Sequence, residues 1–365
     1  ANHPLSIPRV GTVLRLCELF GWLDDDNFRV AAAAAVEQLA KYHDRSYVEA
    51  LRAADARRIV SREVRERYAI GSLENPLFHG VFERAATQVG GSILAARLAL
   101  QGAVCFHPAG GTHHGRRDRA SGFCFFNDPV FAIITLRESG LRRVLYVDLD
   151  AHHGDGVQLA FEKDPGVMTV SIHQAGRWPY SGDVTDVGGG QARNLPVPAG
   201  FNDSELDFLM SEIVLPEAQR FMPEAVVITC GTDALSGDPL SQMELSNAAL
   251  WRAVDQLLDP GRPSVVLGGG GYNPWTLARC WTGLWARLSG QEMPETLPKQ
   301  AVEILAGLEC DLIDEDEVRA QWLTTLRDAP NAGPVRAQVR DLTNVRQTVP
   351  GCAATAANRR TNELA

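Results

Sequence analysis

The segment "YVDLDAHHGDG" at 146–156 holds three aspartates and two adjacent histidines directly after an apolar run. Burying a carboxylate costs several kcal/mol unless something pairs it, and a metal ion is the usual partner. Asp150 and His152 are two residues apart, and residues i and i+2 of an extended segment project to the same side. The spacing therefore predicts two ligands for one divalent cation.

A third ligand is available in the segment "GTDALSGDP" at 231–239, which contains Asp233. Two carboxylates and one imidazole leave the fourth position of a tetrahedral site open, as in catalytic zinc sites. A lone aspartate after a strand is equally typical of a helix N-cap. The concentration of acids and histidines within 148–153 needs explicit partners if it is buried, which favours the metal site.

A second histidine pair, His113-His114, lies in a glycine-rich loop that leads into the apolar run "FCFF" at 123–126. Adjacent histidines on a surface loop are more often inert than catalytic, but the apolar run predicts a pocket wall. A neutral imidazole near a metal-bound water is the expected general base. Each imidazole needs a partner on its other nitrogen, and Asp148 and Asp155 are not needed as metal ligands.

Four glycines precede Tyr272 in the segment "LGGGGYNPW" at 267–275. Such a run lets backbone approach a substrate closely, although alone it is also typical of a simple turn or a phosphate cradle. It lacks both a P-loop lysine and the GxGxxG spacing after the first strand. A tyrosine hydroxyl aimed at a metal-polarised carbonyl would stabilise an oxyanion.

Apolar runs alternate with helical patterns along the chain, which predicts an α/β protein with a parallel sheet buried on both faces. Strands are predicted over 142–148, 166–173, 224–231 and 263–271. Helices are predicted over 10–23, 31–43, 86–102 with Gly102 as a C-cap, 205–222 and 245–259. The segments that contain Asp150, Asp233 and Tyr272 each follow a predicted strand, and His173 ends another, so we expect them to converge beyond the carboxyl ends of the sheet.

The composition is that of a globular protein, with 45% hydrophobic and 22% charged residues in a chain of 365. The absence of an apolar stretch of about 18 residues or of a signal-peptide pattern predicts no membrane span and a cytoplasmic location. Seven scattered cysteines without a CxxC motif indicate reduced thiols. The net charge of −10 argues against nucleic-acid binding and suits cationic partners such as lysine-rich segments.

Together these residues resemble the histone deacetylase family, including its bacterial acetoin-utilisation and acetylpolyamine amidohydrolase relatives. The resemblance runs from His3-Pro4 to residue 290 and depends on "HHGRRDRASGFCFFND", "VDLDAHHGDG", "GTDALSGDP" and "GGGGY" in this order. It implies an arginase–deacetylase-type fold, a central, largely parallel sheet flanked by helices, with the site at the strand C-terminal ends. The deacetylase domain would span 1–290, and a helical extension and tail over 291–365 would pack on it. The family has a strand before His3, which implies that the first strand is missing from this sequence.

The resemblance implies zinc-dependent hydrolysis of N-acyl amides by metal-activated water. The substrate would be acetyl-lysine in a peptide or protein, or a small N-acetylated amine. One zinc ion per chain would be held by Asp150, His152 and Asp233. The family also carries a structural potassium ion, whose ligands would be the carbonyls of Asp148, Asp150, His152 and Ile172 and the side chain of Ser171.

The resemblance also divides the catalytic roles. His114, paired with Asp155, would be the general base and acid. His113, paired with Asp148, would act mainly through its charge. Tyr272 would stabilise the oxyanion. The substrate would be bound by Gly122, Phe123, Trp178, Leu240 and Gly270, and by Glu74 in place of the family's rim aspartate.

Several alternatives stay open. A binuclear manganese hydrolase of the arginase type shares the fold, but it needs extra carboxylates where this chain has Gly154 and Leu235. An inactive acyl-lysine-binding module would not need Tyr272 or both histidines. Acetylpolyamines are the alternative substrates, and a homo-oligomer is compatible with the sequence. The segment from Asn331, with five arginines and weak periodicity, is predicted to wrap the surface or mediate assembly.

Overall fold

A central parallel sheet organises residues 3–344, the part of the chain that the computed structural model describes. In that part the sheet has six strands, in the order β1-β6-β5-β2-β3-β4, and every neighbouring pair is parallel. The strands are β1 Val104–His107, β2 Val144–Asp148, β3 Val167–Gln174, β4 Ala192–Val197, β5 Ala225–Thr229 and β6 Ser264–Leu267. The predicted α/β class with a parallel sheet is confirmed.

Helices cover both faces of the sheet. They are α1 Val10–Leu19, α2 Val36–Leu39, α3 Arg45–Arg57, α4 Arg62–Tyr68, α5 Val81–Ala99, α6 Asp128–Glu138, α7 Asp155–Phe161, α8 Asp203–Leu209, α9 Leu215–Phe221, α10 Asn247–Leu257, α11 Pro274–Leu288, α12 Lys299–Ala306 and α13 Ala337–Asp341. Alternate residues of β2 point to opposite sides: Val144 and Tyr146 pack with α5 and α6, and Leu145 and Val147 pack with α1 and α11. Because both faces are buried, the strands read as uninterrupted apolar runs.

The helix predicted over 31–43 is wrong, since only α2, Val36–Leu39, forms. The alanines before it pack against α5 instead of turning into a helix. Ala34 N–H donates to the carbonyl of Ala86 at 2.9 Å. A Cβ on Gly90 would lie only 1.9 Å from the carbonyl oxygen of Ala32. This tertiary contact outweighs the helix propensity of the alanine run.

Other predicted boundaries shift for local reasons. The helix predicted over 205–222 is interrupted by a π-helical segment, Met210–Val214, just before Pro216, which has no N–H to donate. Helix α5 is capped by Leu100 rather than by Gly102. Strands β1 and β4 lie at the two edges of the sheet and were not predicted, because "VCFH" is short and "ARNLPV" is partly polar.

Residues beyond 290 contact the same core as the sheet does. Trp322, Leu326 and Val339 are buried in the cluster that contains α1 and α11. Arg336 holds this segment through Glu205, whose carboxylate accepts from its Nε at 2.7 Å and Nη2 at 2.6 Å. The segment therefore wraps the surface as far as residue 344. The domain boundary at 290 stays a prediction, and the part of the predicted extension and tail from 345 to 365 lies outside the described residues.

We expect Arg336→Ala to lower the free energy of unfolding by about 3 kcal/mol, because Glu205 has no solvent exposure and would keep an unpaired charge. Urea unfolding followed by circular dichroism measures this change. Arg340→Ala, at an exposed arginine of the same segment, is the control and should shift the midpoint little. Equal stability of the two variants would show that the ion pair does not hold the segment.

Candidate active site

The predicted metal ligands lie together at the carboxyl ends of β2 and β5, which are neighbours in the sheet. Asp150, His152 and Asp233 each offer one ligand atom, and these atoms lie within 4.8 Å of one another. His152 Nδ1 is 2.9 Å from Asp233 Oδ2. Backbone N–H groups of Gly270 and Ala151 donate to the carboxylates of Asp150 and Asp233, at 2.6 and 3.0 Å respectively. The backbone therefore fixes both carboxylates in place.

The charges of this cluster fit a divalent cation. Burial and the neighbouring Asp150 raise the pKa of Asp233 to about 6. Burial would lower the pKa of His152, but hydrogen bonds with Asp150 and Asp233 outweigh it and raise the pKa to about 10. A cation among these groups would replace the proton that His152 otherwise holds between them. Two carboxylates and an imidazole are donors that zinc accepts.

The two predicted histidine–aspartate pairs are brought together beside the ligands. His113 Nδ1 lies 2.7 Å from Asp148 Oδ2, and His114 Nδ1 lies 2.8 Å from Asp155 Oδ1. An ionised carboxylate can only accept hydrogen bonds, so Nδ1 of each ring must carry the proton that is donated. This leaves Nε2 of each ring for other partners, and in His113 that atom is 3.8 Å from Asp150 Oδ1.

The surroundings shift the pKa values of the two histidines in opposite directions. Burial would lower the pKa of His113, but the carboxylates of Asp148 and Asp150 outweigh burial and raise the pKa to about 9. Burial and the charge of His113 lower the pKa of His114 to about 3. Near neutral pH, His113 is therefore a cation and His114 is a neutral ring that accepts a proton.

The glycine run places backbone directly against the candidate metal ligands and ends at Tyr272. Gly269 and Gly271 have φ values of +144° and +136°, which side-chain-bearing residues rarely adopt. A Cβ on Gly270 would lie 2.0 Å from Asp233 Oδ2. Only glycine fits there, and the run sets Tyr272 beside the cluster.

Two cavities adjoin the ligands. The mouth cavity, of about 720 Å³, includes the solvent-exposed Tyr180 in its lining. The inner cavity, of about 600 Å³, includes Gly270 and Asp150. Both are lined by His114, Gly122, Phe123 and Tyr272. His114 and Tyr272 thus face the space where the two cavities meet.

The predicted substrate-binding residues other than Gly270 all line the mouth cavity: Glu74, Gly122, Phe123, Trp178 and Leu240. Gly122 has φ +54°, and a Cβ there would lie 2.3 Å from the Trp178 ring. The Trp178 ring in turn lies edge-on to His114, with centroids 4.5 Å apart. Glu74 accepts a hydrogen bond from Gly122 N–H at 2.6 Å, so it positions this wall as well as presenting a carboxylate.

Three residues that the sequence reasoning missed support the site. The Tyr146 hydroxyl donates to Asp148 Oδ2 at 2.6 Å, and Asp238 Oδ2 accepts from Tyr272 N–H at 2.7 Å. Arg9 donates to carbonyls of the glycine run. The i, i+2 spacing of Tyr146 and Asp148 on one strand was a usable signal. Nothing in the sequence around Arg9 indicated its role.

The potassium site stays a prediction. In the sheet, Asp148 of β2 stands in register with Ser171 of β3, which brings two of the implied ligands side by side. Ser171 Oγ is 2.9 Å from His173 Nδ1.

Solved structures share this fold, and curated proteins are similar to this chain in sequence. A crystal structure of an HDAC homolog from Aquifex aeolicus matches with a TM-score of 0.90 and 38% identity, over 94% of each chain. Another, of an HDAC homolog complexed with SAHA, gives 0.89 and 38%. Histone deacetylase 8 of Xenopus tropicalis is 36% identical over 307 residues, which are 81% of this chain and 82% of that protein. Histone deacetylase 1 of Homo sapiens is 35% identical over 306 residues, and the match spans 63% of its length.

A parallel α/β sheet with a candidate metal site and two histidine–aspartate pairs at its carboxyl edge is the arrangement of a hydrolase. The histone deacetylase domain model matches residues 3–288, and the chain belongs to the histone deacetylase family. The resemblance seen in the sequence is confirmed, as is the arginase–deacetylase type of fold. Within 3–344, no helix has the length and apolar character needed to cross a membrane. The cytoplasmic location stays a prediction.

We expect the purified protein to contain one zinc ion per chain and Asp233→Asn to lose it. Losing an outer hydrogen-bond partner of a ligand already costs about 10- to 100-fold in metal affinity, so losing a ligand should cost more. Elemental analysis measures the content, and Asp207→Asn, at the surface on α8, is the control. Two metal ions per chain would support the arginase-type alternative instead.

Proposed function

We propose that the protein is a zinc-dependent deacylase that hydrolyses N-acyl amides, with acyl-lysine side chains as the preferred class. One observation carries this proposal: the three candidate metal ligands converge beside two histidine–aspartate pairs, and His114 and Tyr272 line both adjoining cavities. Zinc held by Asp150, His152 and Asp233 would polarise the acyl carbonyl and make water more acidic.

His114 is suited to move the proton. Because it is neutral, its Nε2 accepts the proton of the attacking water and returns it to the leaving amine. Asp155 accepts from His114 Nδ1 and is itself paired with Arg116. This carboxylate orients the ring and stabilises the charge that develops on it.

His113 contributes charge rather than proton transfer in this proposal. Before a metal binds, the carboxylates of Asp148 and Asp150 outweigh burial and raise its pKa to about 9, and Asp148 holds it against the cluster. A fixed cation there stabilises negative charge that develops on the reacting carbonyl.

Tyr272 is suited to donate a hydrogen bond to the same carbonyl oxygen. Burial and the neighbouring Asp233 raise its pKa well above the usual value. The hydroxyl therefore stays protonated and remains a donor during the reaction.

The residues present disfavour a second metal. Within the described chain, Asp150, His152 and Asp233 form the single group of three whose ligand atoms converge. Gly154 stands where an arginase-type site needs a carboxylate, and a Cβ there would lie 2.1 Å from Asp148 Oδ2.

The mouth cavity favours acyl-lysine over acetylpolyamines. Leu240 offers no charge to the distal ammonium of a polyamine, and the guanidinium of Arg177 lies in the same lining. A second cation near an arginine is repelled. Among the described residues of this lining, Glu74 is the one carboxylate. Its Oε1 already accepts a hydrogen bond from Gly122 N–H.

Turnover of a fluorogenic acetyl-lysine peptide tests the proposed activity, and we expect Tyr272→Phe to reduce kcat by about 100- to 1,000-fold. Deleting one donor to an oxyanion typically has this effect. Zinc content and thermal stability should stay near the parent values, since only a hydroxyl is removed. If the parent does not turn over the peptide, an inactive acyl-lysine-binding module becomes the better interpretation. If Tyr272→Phe is as active as the parent, the hydroxyl is not the oxyanion donor.

We expect kcat/KM to be higher for an acetyl-lysine peptide than for acetylputrescine, and Leu240→Glu to shift this ratio toward acetylputrescine by about fivefold. A partly exposed ion pair supplies about 1 kcal/mol. Leu240→Gln, which has the same shape without the charge, is the control. A parent enzyme that prefers acetylputrescine would refute the assignment. If the kcat/KM ratio changes only in Glu74→Gln, then Glu74 is the acidic group that selects between the two substrates.

A further inference from the structure

An arginine at the mouth cavity has no assigned part in the reaction. Arg177 is half-buried and lies in the lining next to Trp178, together with Leu240. Besides the histidines, Arg177 and Glu74 are the charged residues in the lining that the structure describes. The cavity where the amine part of a substrate must lie therefore presents one cation and one anion.

The guanidinium is fixed by neutral partners. Its Nε donates to Gln174 Oε1 at 3.0 Å, and its Nη1 donates to the carbonyl of Leu240 at 3.1 Å. Gln174 is itself held, since its Oε1 accepts from Gln242 N–H at 2.7 Å and its Nε2 donates to Gln242 Oε1 at 3.2 Å. The arginine is therefore positioned before any substrate binds.

No carboxylate within residues 3–344 forms an ion pair with this arginine. By contrast, Arg116, which is also near the site, is paired with Asp155. A half-buried guanidinium without an anionic partner retains its attraction for a carboxylate, and N–H donors beyond the two already used are available to bind it.

We propose that Arg177 recognises a carboxylate on the amine part of the substrate, which makes free acyl-lysine, or a chain that ends in acyl-lysine, the preferred substrate class. This inference rests on the proposed deacylase function, because that function sends the acyl group to the metal ligands and leaves the amine part at the mouth. A carboxylate on the acyl group would instead lie beyond the metal ligands, away from Arg177 in the mouth cavity.

The charge pattern of the mouth fits an amino acid. Arg177 would bind the α-carboxylate, and Glu74, which has one oxygen beyond the one that Gly122 uses, would accept from the α-ammonium or amide. A peptide with an acidic residue after acyl-lysine would offer the same chemistry from a side chain. We assign the α-carboxylate because it is rigidly attached at the acyl-lysine itself, whereas an acidic side chain must order additional bonds to reach Arg177.

The test compares kcat/KM for three substrates: Nα,Nε-diacetyl-lysine, its C-terminal amide, and an amidated peptide with aspartate after acetyl-lysine. We expect the free acid to exceed the amide by about fivefold or more through a lower KM, as for a partly exposed ion pair. Arg177→Gln should bring that ratio to about one, and Arg177→Lys should retain part of it. Arg52→Gln, at an exposed arginine of α3, is the control and should leave the ratio unchanged.

An acid-to-amide ratio that is unchanged in Arg177→Gln, or a parent that prefers the amide, would overturn the proposal. The aspartate peptide exceeding the free acid would overturn the assignment to the α-carboxylate. Calorimetric binding of the acid and the amide to the parent and to Arg177→Gln separates this proposal from the proposed function. Preferential binding of the acid, lost in Arg177→Gln and accompanied by no turnover, would uphold carboxylate recognition and refute the deacylase. Equal binding of the acid and the amide, with turnover of both, would uphold the deacylase and refute carboxylate recognition.

Discussion

The burial of three carboxylates in one place is the constraint on which the rest of the site depends. Asp148, Asp150 and Asp233 have no solvent exposure, and each ionised carboxylate in such a position needs several donors. Histidine rings, backbone N–H groups and the Tyr146 hydroxyl supply them. The remaining negative charge favours a cation at the same point, so the groups whose burial is unfavourable also form a candidate metal site.

Close approach of backbone is the second requirement, and glycine meets it. The glycine run after β6 reaches the carboxylates because no side chain intervenes, and Arg9 holds two of its carbonyls from the N-terminal part of the chain. The parallel sheet makes this possible, since β6, β5 and β2 are consecutive in it and end at the same edge. Loops line most of the mouth cavity, and helix α5 also lines the inner cavity.

Charge acts at two length scales in this protein. The net charge of −10 suggests attraction of cationic partners. At physiological ionic strength, however, exposed charges beyond about 8 Å are largely screened. The groups that line the mouth cavity therefore govern what it accepts, and these include the cation of Arg177 as well as Glu74. Composition alone does not describe the selectivity of such a site.

The sequence by itself determined the parallel α/β class, the candidate metal ligands Asp150 and His152 and the convergence of the polar segments. These features follow from short-range rules: buried strands read as apolar runs, alternate residues share a side, and parallel strands end at one edge. Only the tertiary structure decided the rest. The alanine run at 31–35 stays extended because it packs against Gly90, and edge strands β1 and β4 form by pairing with neighbours distant in sequence. The opposite pKa shifts of His113 and His114, and the neutral hydrogen-bond partners of the Arg177 guanidinium, depend on which groups surround these side chains in space. Spacing along the chain does not encode those distances.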